Sequence, residues 1–263
     1  MLDACGDKRG HKMFRSLIAA FSMYSRIPMP RVEWDEKTIK YVMCFFPAVG
    51  IALGAAAYFA AAAMRALGAG TLLFSAVMTV IPIAVTGGIH MDGFMDTADA
   101  LSSYGDREKK LEILKDPHLG AFSVIHAALY FILMLGLWSE AGKAEVLAAS
   151  IGFVLSRALS GLSVVLFPKA KSTGLAAMFS SAADKKRAAA ALAVWAAAAA
   201  AAAVFLDPLR GAAMTAAAVL VLLIYRRIST KRFGGITGDL AGWFLQLCEA
   251  AMLAAAIIAG RFV

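Results

Sequence analysis

Three aspartates, Asp92, Asp96 and Asp99, lie four and then three residues apart between two apolar runs. On an α-helix this spacing places their carboxylates on one face. Three carboxylates at one point of an apolar chain are unfavourable unless a cation or a chemical task holds them there. Carboxylates hold Mg²⁺, which keeps phosphate oxygens and waters as its other ligands. We therefore predict a catalytic metal site for a phosphate-containing substrate; the alternative is an ordinary solvated helix face.

The residues around the cluster strengthen this interpretation. Gly87, Gly88 and Gly93 allow the backbone and a phosphate to approach each other closely. His90 is a candidate to contact phosphate or to move a proton. The alternative for His90 is an interfacial histidine that is bonded to the backbone.

The composition is that of a membrane protein. The chain has 263 residues, of which 61% are hydrophobic and 17% are charged, and its mean hydropathy is +0.73. Ordinary soluble domains have roughly 25% charged residues. We predict an all-α polytopic membrane helical bundle in a single integral-membrane domain, residues 1–263. We expect no cleavable signal, and the three widely spaced cysteines predict neither a disulfide framework nor a zinc site.

About seven transmembrane helices are predicted from the apolar runs: 41–64, 69–89, 119–138, 146–167, 188–206, 211–225 and 240–260. The N-terminal stretch 14–30 is also apolar, but it is too short and too interrupted to cross a bilayer. Pro28 and Pro30 are expected to end it. We predict an interfacial or re-entrant helix there.

In this topology most of the basic residues lie on one side of the membrane. Residues 1–40 and the loops 90–118, 168–187 and 226–239 hold 21 of the 26 Lys and Arg residues, while the opposite loops hold 4. Because cytoplasmic loops are enriched in Lys and Arg, we predict a bacterial inner-membrane protein with its N-terminus and active site on the cytoplasmic side. The same asymmetry explains the net charge of +8 without nucleic-acid binding.

Further candidates lie in the loop after the aspartates. The segment 106–120 is predicted to form an amphipathic helix that Asp116 and Pro117 end. Arg107, Lys115 and Asp116 are second-rank partners for phosphate or metal. The alternative for all three is an exposed, solvated helix.

Polar residues in the later spans complete the candidates. Arg157 lies within a span, where an arginine costs roughly 2.5–3.5 kcal/mol on insertion scales. Its guanidinium is suited to phosphate, and snorkelling is the alternative. Glu249 is a carboxylate deep in the last span. Gly234 and Gly235 are predicted to wrap a phosphate through their backbone N–H groups. Asp239 is either a site residue or only an N-cap.

Two other functions fit these residues. A membrane CDP-alcohol or prenyl-diphosphate transferase uses aspartates for a similar displacement. A solute transporter would use the acidic cluster as its pathway. Transporters more often place ionisable groups at the midplane of repeated halves, whereas the motifs here lie on one side and no internal repeat is present.

Six segments together resemble the cobalamin synthase (adenosylcobinamide-GDP ribazoletransferase) family. They run in the family's order over nearly the whole chain: YSRIPMP (24–30), FPAVGIALG (46–54), GGIHMDGFMDTADAL (87–101), REKKLEILKDPHLGAF (107–122), SR (156–157) and KRFGGITGDLAG (231–242). The sequence departs from the family pattern at Ala100, Pro117, His118 and Ser123. His118 replaces a usual arginine, which bears on a basic contact to substrate phosphate.

The resemblance implies a Mg²⁺-dependent phosphotransferase. In that family the phosphocobinamide moiety of adenosylcobinamide-GDP passes to α-ribazole or its 5′-phosphate, and GMP leaves. Asp92, Asp96 and Asp99 would be catalytic residues and metal ligands, with Asp99 as the base if a separate one acts. The implied substrate-binding residues are His90, Arg107, Lys115, Asp116, Arg157, Gly234, Gly235 and Asp239. Membrane lipid is a further expected partner, nucleic acid is not, and a homo-oligomer is left open.

Overall fold

The computed structural model describes residues 3–170 and 184–262, with side chains except those of residues 3–12, 36 and 37. Within these ranges the chain is helical, and its strand-like pairing is one parallel bridge between Lys169 and Ile236. The α-helices are α1 (Asp3–Tyr24), α2 (Glu36–Ile39), α3 (Val42–Ala66), α4 (Thr71–Thr86), α5 (Ile89–Ser102), α6 (Arg107–Ile113), α7 (Ala121–Glu140), α8 (Lys143–Leu166), α9 (Lys185–Leu206), α10 (Pro208–Ile228) and α11 (Gly238–Gly260). A π-helix, Ser229–Phe233, extends α10. The all-α prediction is confirmed.

The membrane-spanning architecture also agrees with the sequence. In the described parts, six helices are long and apolar enough to cross a membrane: α3, α7, α8, α9, α10 with its π-helix, and α11. The pair α4 and α5 passes the same test together, but it is bent by 98°. The prediction of a polytopic bundle with about seven crossings is confirmed. The second predicted span, 69–89, stops at this bend because α4 ends at Thr86.

The core lies between α8 and α11. In their most apolar windows 67% and 72% of the residues are buried, against 22% in both α9 and α10. α3 packs on α8, while α5 and α10 pack on α11. Gly50 of α3 makes close packing on α8 possible, since a Cβ there would lie 2.5 Å from the Phe153 carbonyl oxygen. The outer helices therefore leave much of their apolar surface for lipid.

Two predicted helices have other bounds in the structure. α1 begins at Asp3, before the predicted stretch 14–30, and ends at Tyr24, before either proline. Just after this end the Ser25 hydroxyl donates to the Phe21 carbonyl at 2.7 Å. α6 covers seven residues and ends at Ile113, a few residues before Asp116 and Pro117, which were expected to end this helix. The position of α1 relative to the membrane stays a prediction.

The helices alternate in direction, so their ends form two faces. The N-terminal ends of α3, α7, α9 and α11 and the C-terminal ends of α8 and α10 lie on the same side as α5. We call this side the α5 end, and the other side the opposite end. Part of the loop 168–187 used in the charge count, residues 171–183, lies outside the described residues, as do residues 1, 2 and 263.

Candidate active site

The aspartate helix α5 begins at a sharp elbow after α4. Gly87 and Gly88 have φ values of 69° and 82°, a left-handed conformation that other residues seldom adopt. α5 therefore crosses the end of the bundle at 98° to α4 and does not continue its span. The chain after α1 packs on this elbow. The backbone N–H of Arg26 donates to the Val85 carbonyl at 2.8 Å, and Cγ of Arg26 would lie 2.8 Å from a Cβ on Gly87.

α5 is helical through all three aspartates, so their side chains lie along one face, as the spacing predicts. Asp92 is exposed, and Asp96 and Asp99 are half-buried. Phe94 and Ala98, on the other face, are buried and anchor the helix. None of the three carboxylates forms an ion pair with a basic side chain of residues 13–170 or 184–262. The negative charges are thus placed together without a cation from the described protein.

A fourth carboxylate, that of Asp239, comes from the first turn of α11. Gly93 of α5 allows the two helices to meet, since a Cβ there would lie 2.7 Å from the backbone oxygen of Asp239. The N-cap of α11 is Thr237, whose Oγ1 accepts the Leu240 N–H at 3.2 Å. The alternative that Asp239 is only the N-cap is therefore wrong.

The carboxyl group of Asp96 is affected both by burial and by the charges around it. Burial, and then the charges of Asp92, Asp239 and Asp99, oppose its ionisation. A nearby negative charge makes the ionised form of a carboxyl group less favourable. A bound cation would reduce this repulsion, so binding of a positive ion at the cluster is favourable.

The carboxylates alone do not form a complete coordination sphere for a metal ion. Within the described residues, no group of three or more His, Cys, Asp or Glu side chains is arranged as a set of metal ligands. Mg²⁺ usually binds through one or two carboxylates and completes its six positions with phosphate oxygens and water. The residues therefore fit a Mg²⁺ ion that takes its remaining ligands from a substrate and from water. The role of all three aspartates as ligands stays a prediction.

Asp99 is held at the start of α7. A Cβ on Gly120, the residue before that helix, would overlap both oxygens of the Asp99 carboxylate. α7 is 20 residues long, and a helix N-terminus carries a partial positive charge that favours a carboxylate. A glycine at position 120 therefore leaves room for the Asp99 carboxylate. In the sequence it is only a glycine before an apolar run, which does not predict this contact.

A cavity of about 250 Å³ opens beside the cluster. Two of its lining residues, Asp92 and Asp239, are carboxylates from α5 and α11. Most of the others are apolar or aromatic, including Tyr24, Phe46 and Val164. The cavity therefore places an apolar or planar group directly against two negative charges.

His90 forms part of the wall of this cavity. Its ring centroid lies 6.1 Å from that of Tyr24 and 5.9 Å from that of Phe46. Its Nε2 is buried and has no hydrogen-bond partner among the described residues. A buried nitrogen without a partner is unfavourable unless a ligand or water reaches it. His90 is thus available to a substrate in the cavity.

Arg157 has a partner inside the protein. Its guanidinium is 1% exposed and pairs with Glu249 of α11. The same Nη1 donates to Ser156 Oγ at 2.9 Å and to the Phe153 carbonyl at 3.2 Å. This pairing gives the buried Glu249 its counter-charge, while Arg157 Nε is buried without a hydrogen-bond partner among the described residues. A buried charge requires such a counter-charge, so snorkelling does not apply. Contact of Arg157 with a substrate phosphate stays a prediction.

The glycine turn after the π-helix differs from its prediction. The N–H groups of Gly234 and Gly235 donate to the carbonyls of Thr230 and Ser229 at 3.1 and 3.0 Å. The prediction that these N–H groups wrap a phosphate is therefore wrong. The absence of a side chain at Gly234 instead lets the Arg107 guanidinium lie directly against the turn. The structure thus brings Arg107 and Gly234 together.

Lys110, which the sequence did not single out, closes the C-terminal end of α5. Its Nζ donates to the Ala100 carbonyl at 2.9 Å and also reaches Ser103. Burial, and then the charge of Arg232, lowers the pKa of Lys110. Helical periodicity gives no signal for this contact, because it joins two helices across a turn.

Lys115 and Asp116 are exposed in the loop between α6 and α7. Asp116 accepts the backbone N–H of His118 at 3.0 Å and contacts His118 Nδ1 at 2.7 Å. These bonds lower the pKa of the Asp116 carboxyl group. Lys115 and Asp116 thus lie on an exposed loop, and their contact with a substrate stays a prediction.

Comparison with known proteins gives a consistent result. The chain matches the family model described as "Cobalamin-5-phosphate synthase" over residues 16–257. It is similar to "Adenosylcobinamide-GDP ribazoletransferase" of Lachnoclostridium phytofermentans, at 42% identity over 94% of this chain and 95% of the relative. Proteins of the same name from Clostridium botulinum and Azorhizobium caulinodans are each 31% identical, over 90% and 96% of this chain and 94% and 99% of theirs. No solved structure matches the chain.

Proposed function

Because the chain belongs to the cobalamin-5-phosphate synthase family, we propose that it is an adenosylcobinamide-GDP ribazoletransferase. It transfers the phosphocobinamide moiety of adenosylcobinamide-GDP to α-ribazole or its 5′-phosphate. The acceptor hydroxyl forms a P–O bond to the phosphorus next to cobinamide, the bond to the bridging diphosphate oxygen breaks, and GMP leaves. The match over nearly the whole chain is the observation that carries this proposal.

The carboxylate cluster supports a Mg²⁺ requirement. One or two of the four carboxylates of Asp92, Asp96, Asp99 and Asp239 would hold the ion together with substrate phosphate and water, and Asp99 would be the base if a separate one acts. A Mg²⁺ ion held there would supply positive charge to offset that of the diphosphate and of the departing GMP. A carboxylate of the cluster accepts the proton of the attacking hydroxyl. The repulsion acting on Asp96 supports this assignment, because a cation relieves it.

The cavity beside the cluster is suited to the acceptor. Its aromatic lining, with Tyr24, Phe46 and His90, fits the planar base of α-ribazole. His90 Nε2 is free to bond with that substrate or with an intervening water. In this arrangement the acceptor's ribose lies towards Asp92 and Asp239, where the attacked phosphorus would be held.

The distribution of basic residues supports a cytoplasmic location for the site. The N-terminal region and the loops at the α5 end carry the larger share of Lys and Arg, which is typical of the cytoplasmic side of a bacterial inner membrane. An α5 end in the cytoplasm gives the site direct access to both water-soluble substrates. A homo-oligomer remains a prediction without support of its own.

The activity is tested by GMP release. The protein, reconstituted in nanodiscs, is mixed with adenosylcobinamide-GDP, and GMP is measured before and after α-ribazole is added. We expect release that requires α-ribazole and Mg²⁺. Asp96→Asn should abolish it, whereas Glu112→Gln, an exposed change on α6, should not. Uptake of labelled substrate into proteoliposomes without GMP release would instead show a transporter and contradict the proposal.

A further inference from the structure

Two adjoining cavities lie away from the carboxylate site, along α3 and α8. The first is an apolar groove of about 490 Å³ between α3, α8 and α9. The second, of about 660 Å³, lies where α3 ends and α8 begins, and Arg65 and Lys143 line it. Tyr58 and Leu147 line both cavities, so the groove and the basic cavity adjoin each other.

The groove is open to the surroundings of the bundle. Ile51, Tyr58 and Phe59 are 49%, 46% and 69% exposed, and alanines of α9 form much of the other wall. Its floor is the close contact of Gly54 with the backbone of Ser150. All three helices are apolar enough to cross a membrane. The groove therefore lies between the helices and is open to the hydrocarbon of the membrane.

The basic cavity lies at the membrane boundary. Phe46, which lines the carboxylate site, and Arg65 are separated by about 28 Å along α3 at the usual helical rise. A bilayer's hydrocarbon core has about this thickness. The cavity with Arg65 and Lys143 thus belongs to the opposite end of the bundle, at the depth of lipid headgroups.

The cations of this cavity are not neutralised by the described protein. Arg65 donates to the Ala141 carbonyl at 3.2 Å and lies over the Phe74 ring at 4.8 Å. Lys143 is exposed, and neither cation has a carboxylate partner in the described parts of the chain. The nearby Glu145 is already bound by Arg210. The cavity therefore has an uncompensated positive charge.

We propose that the groove and the basic cavity together bind one anionic glycerophospholipid. An acyl chain lies in the groove between α3, α8 and α9, and the phosphate group contacts Arg65 and Lys143. The acyl chain buries the exposed apolar walls, and the headgroup supplies the missing counter-charge. This site does not share a lining residue with the carboxylate cavity, so it does not depend on the proposed reaction.

Lipid retention tests the headgroup contact. The purified protein is exchanged into an equal mixture of phosphatidylglycerol and phosphatidylcholine, and bound lipid is counted by native mass spectrometry. We expect one retained phosphatidylglycerol, favoured by about 30-fold over phosphatidylcholine from two near-surface cations. Arg65→Gln/Lys143→Gln should abolish the preference, whereas Lys186→Gln/Arg187→Gln, at the α5 end, should keep it. Millimolar inorganic phosphate should not displace the lipid, because it has no acyl chain.

A second variant tests the groove itself. Ala55→Phe fills the groove and should lower retention of both lipids severalfold, while Ala63→Phe, an exposed change on α3 outside the lining, should not. Thermal unfolding of each variant checks that it is folded. Equal retention of the two lipids by the wild type, or unchanged retention in both Ala55→Phe and the double variant, would overturn the proposal.

Discussion

The two ends of the bundle treat their carboxylates differently. At the opposite end, each acidic residue near the helix termini has an arginine partner. Glu145 accepts from Arg210 Nε at 2.8 Å, and Asp207 pairs with the same arginine. Glu140 contacts Arg261 at 2.7 Å. The Glu145–Arg210 and Glu140–Arg261 pairs connect helix ends that are far apart in the chain, while Asp207–Arg210 lies within the first turn of α10, so these pairs serve the fold.

At the α5 end the three aspartates of α5 are arranged without such partners in the described residues. Asp92, Asp96 and Asp99 share one helix face, and no basic side chain in the described residues pairs with them. Asp239 adds a fourth charge from α11. The fold gains nothing from this repulsion, which indicates that a ligand cation and a reaction use it. The comparison shows that the number of acidic residues is less informative than whether the protein neutralises them.

Asp96→Asn should produce the largest effect on activity, and this effect should be confined to the site at the α5 end. The substitution removes a charge that the neighbouring carboxylates already oppose, so the melting temperature should stay level or rise. GMP release should fall by about 10³-fold or more, which corresponds to about 4 kcal/mol in the barrier. Turnover within a few fold of the wild type by folded Asp96→Asn would remove this aspartate from the site.

Glu249→Gln should show the reverse pattern. It leaves Arg157 buried without its counter-charge and should destabilise the protein by about 3 kcal/mol. Thermal unfolding in the same detergent measures the loss. Glu140→Gln, which breaks an exposed pair, is the control and should change stability by less than about 0.5 kcal/mol. Equal melting temperatures of the two variants would show that the buried pair is not needed.

Gly120→Ala sharpens the comparison by moving one carboxylate without changing any charge. The added methyl group overlaps Asp99, so GMP release should fall by about 10- to 100-fold, since small misplacements at a site cost that much. Gly136→Ala lies in the same helix with open space around it and should keep full activity. If both variants are equally active, the Asp99 position does not matter to the reaction.

Arg210→Gln should produce the smallest change, at the opposite end. Glu145 and Asp207 both lose their charged partner, and stability should fall by roughly 1–2 kcal/mol. The Mg²⁺ concentration for half-maximal GMP release should stay unchanged, because this network is remote from α5. A shifted Mg²⁺ requirement would mean that the two ends are coupled.

Much of this fold could be predicted from local patterns. Apolar runs gave the crossings, and the spacing of Asp92, Asp96 and Asp99 placed them on one helix face. The second span was predicted to continue to residue 89, whereas Gly87 and Gly88 turn the chain sharply. Two adjacent glycines permit such an elbow but do not require it, so the sequence left its angle open.

The remaining differences arise from contacts between distant segments. Arg157 and Glu249 are 92 residues apart, and their pairing depends on the packing of α8 against α11. The N–H groups of Gly234 and Gly235 are used by the preceding π-helix, which has no simple sequence period. Local spacing identifies which side chains share a face, but the partner of a buried charge depends on helix packing.

The most direct test is GMP release as a function of Mg²⁺ concentration, after removal of bound metal with EDTA. The carboxylate cluster predicts no α-ribazole-dependent release without the metal, saturable recovery with Mg²⁺, and no recovery at any Mg²⁺ concentration for Asp96→Asn. Full release in EDTA, or the same Mg²⁺ dependence in Asp96→Asn as in the wild type, would contradict the account.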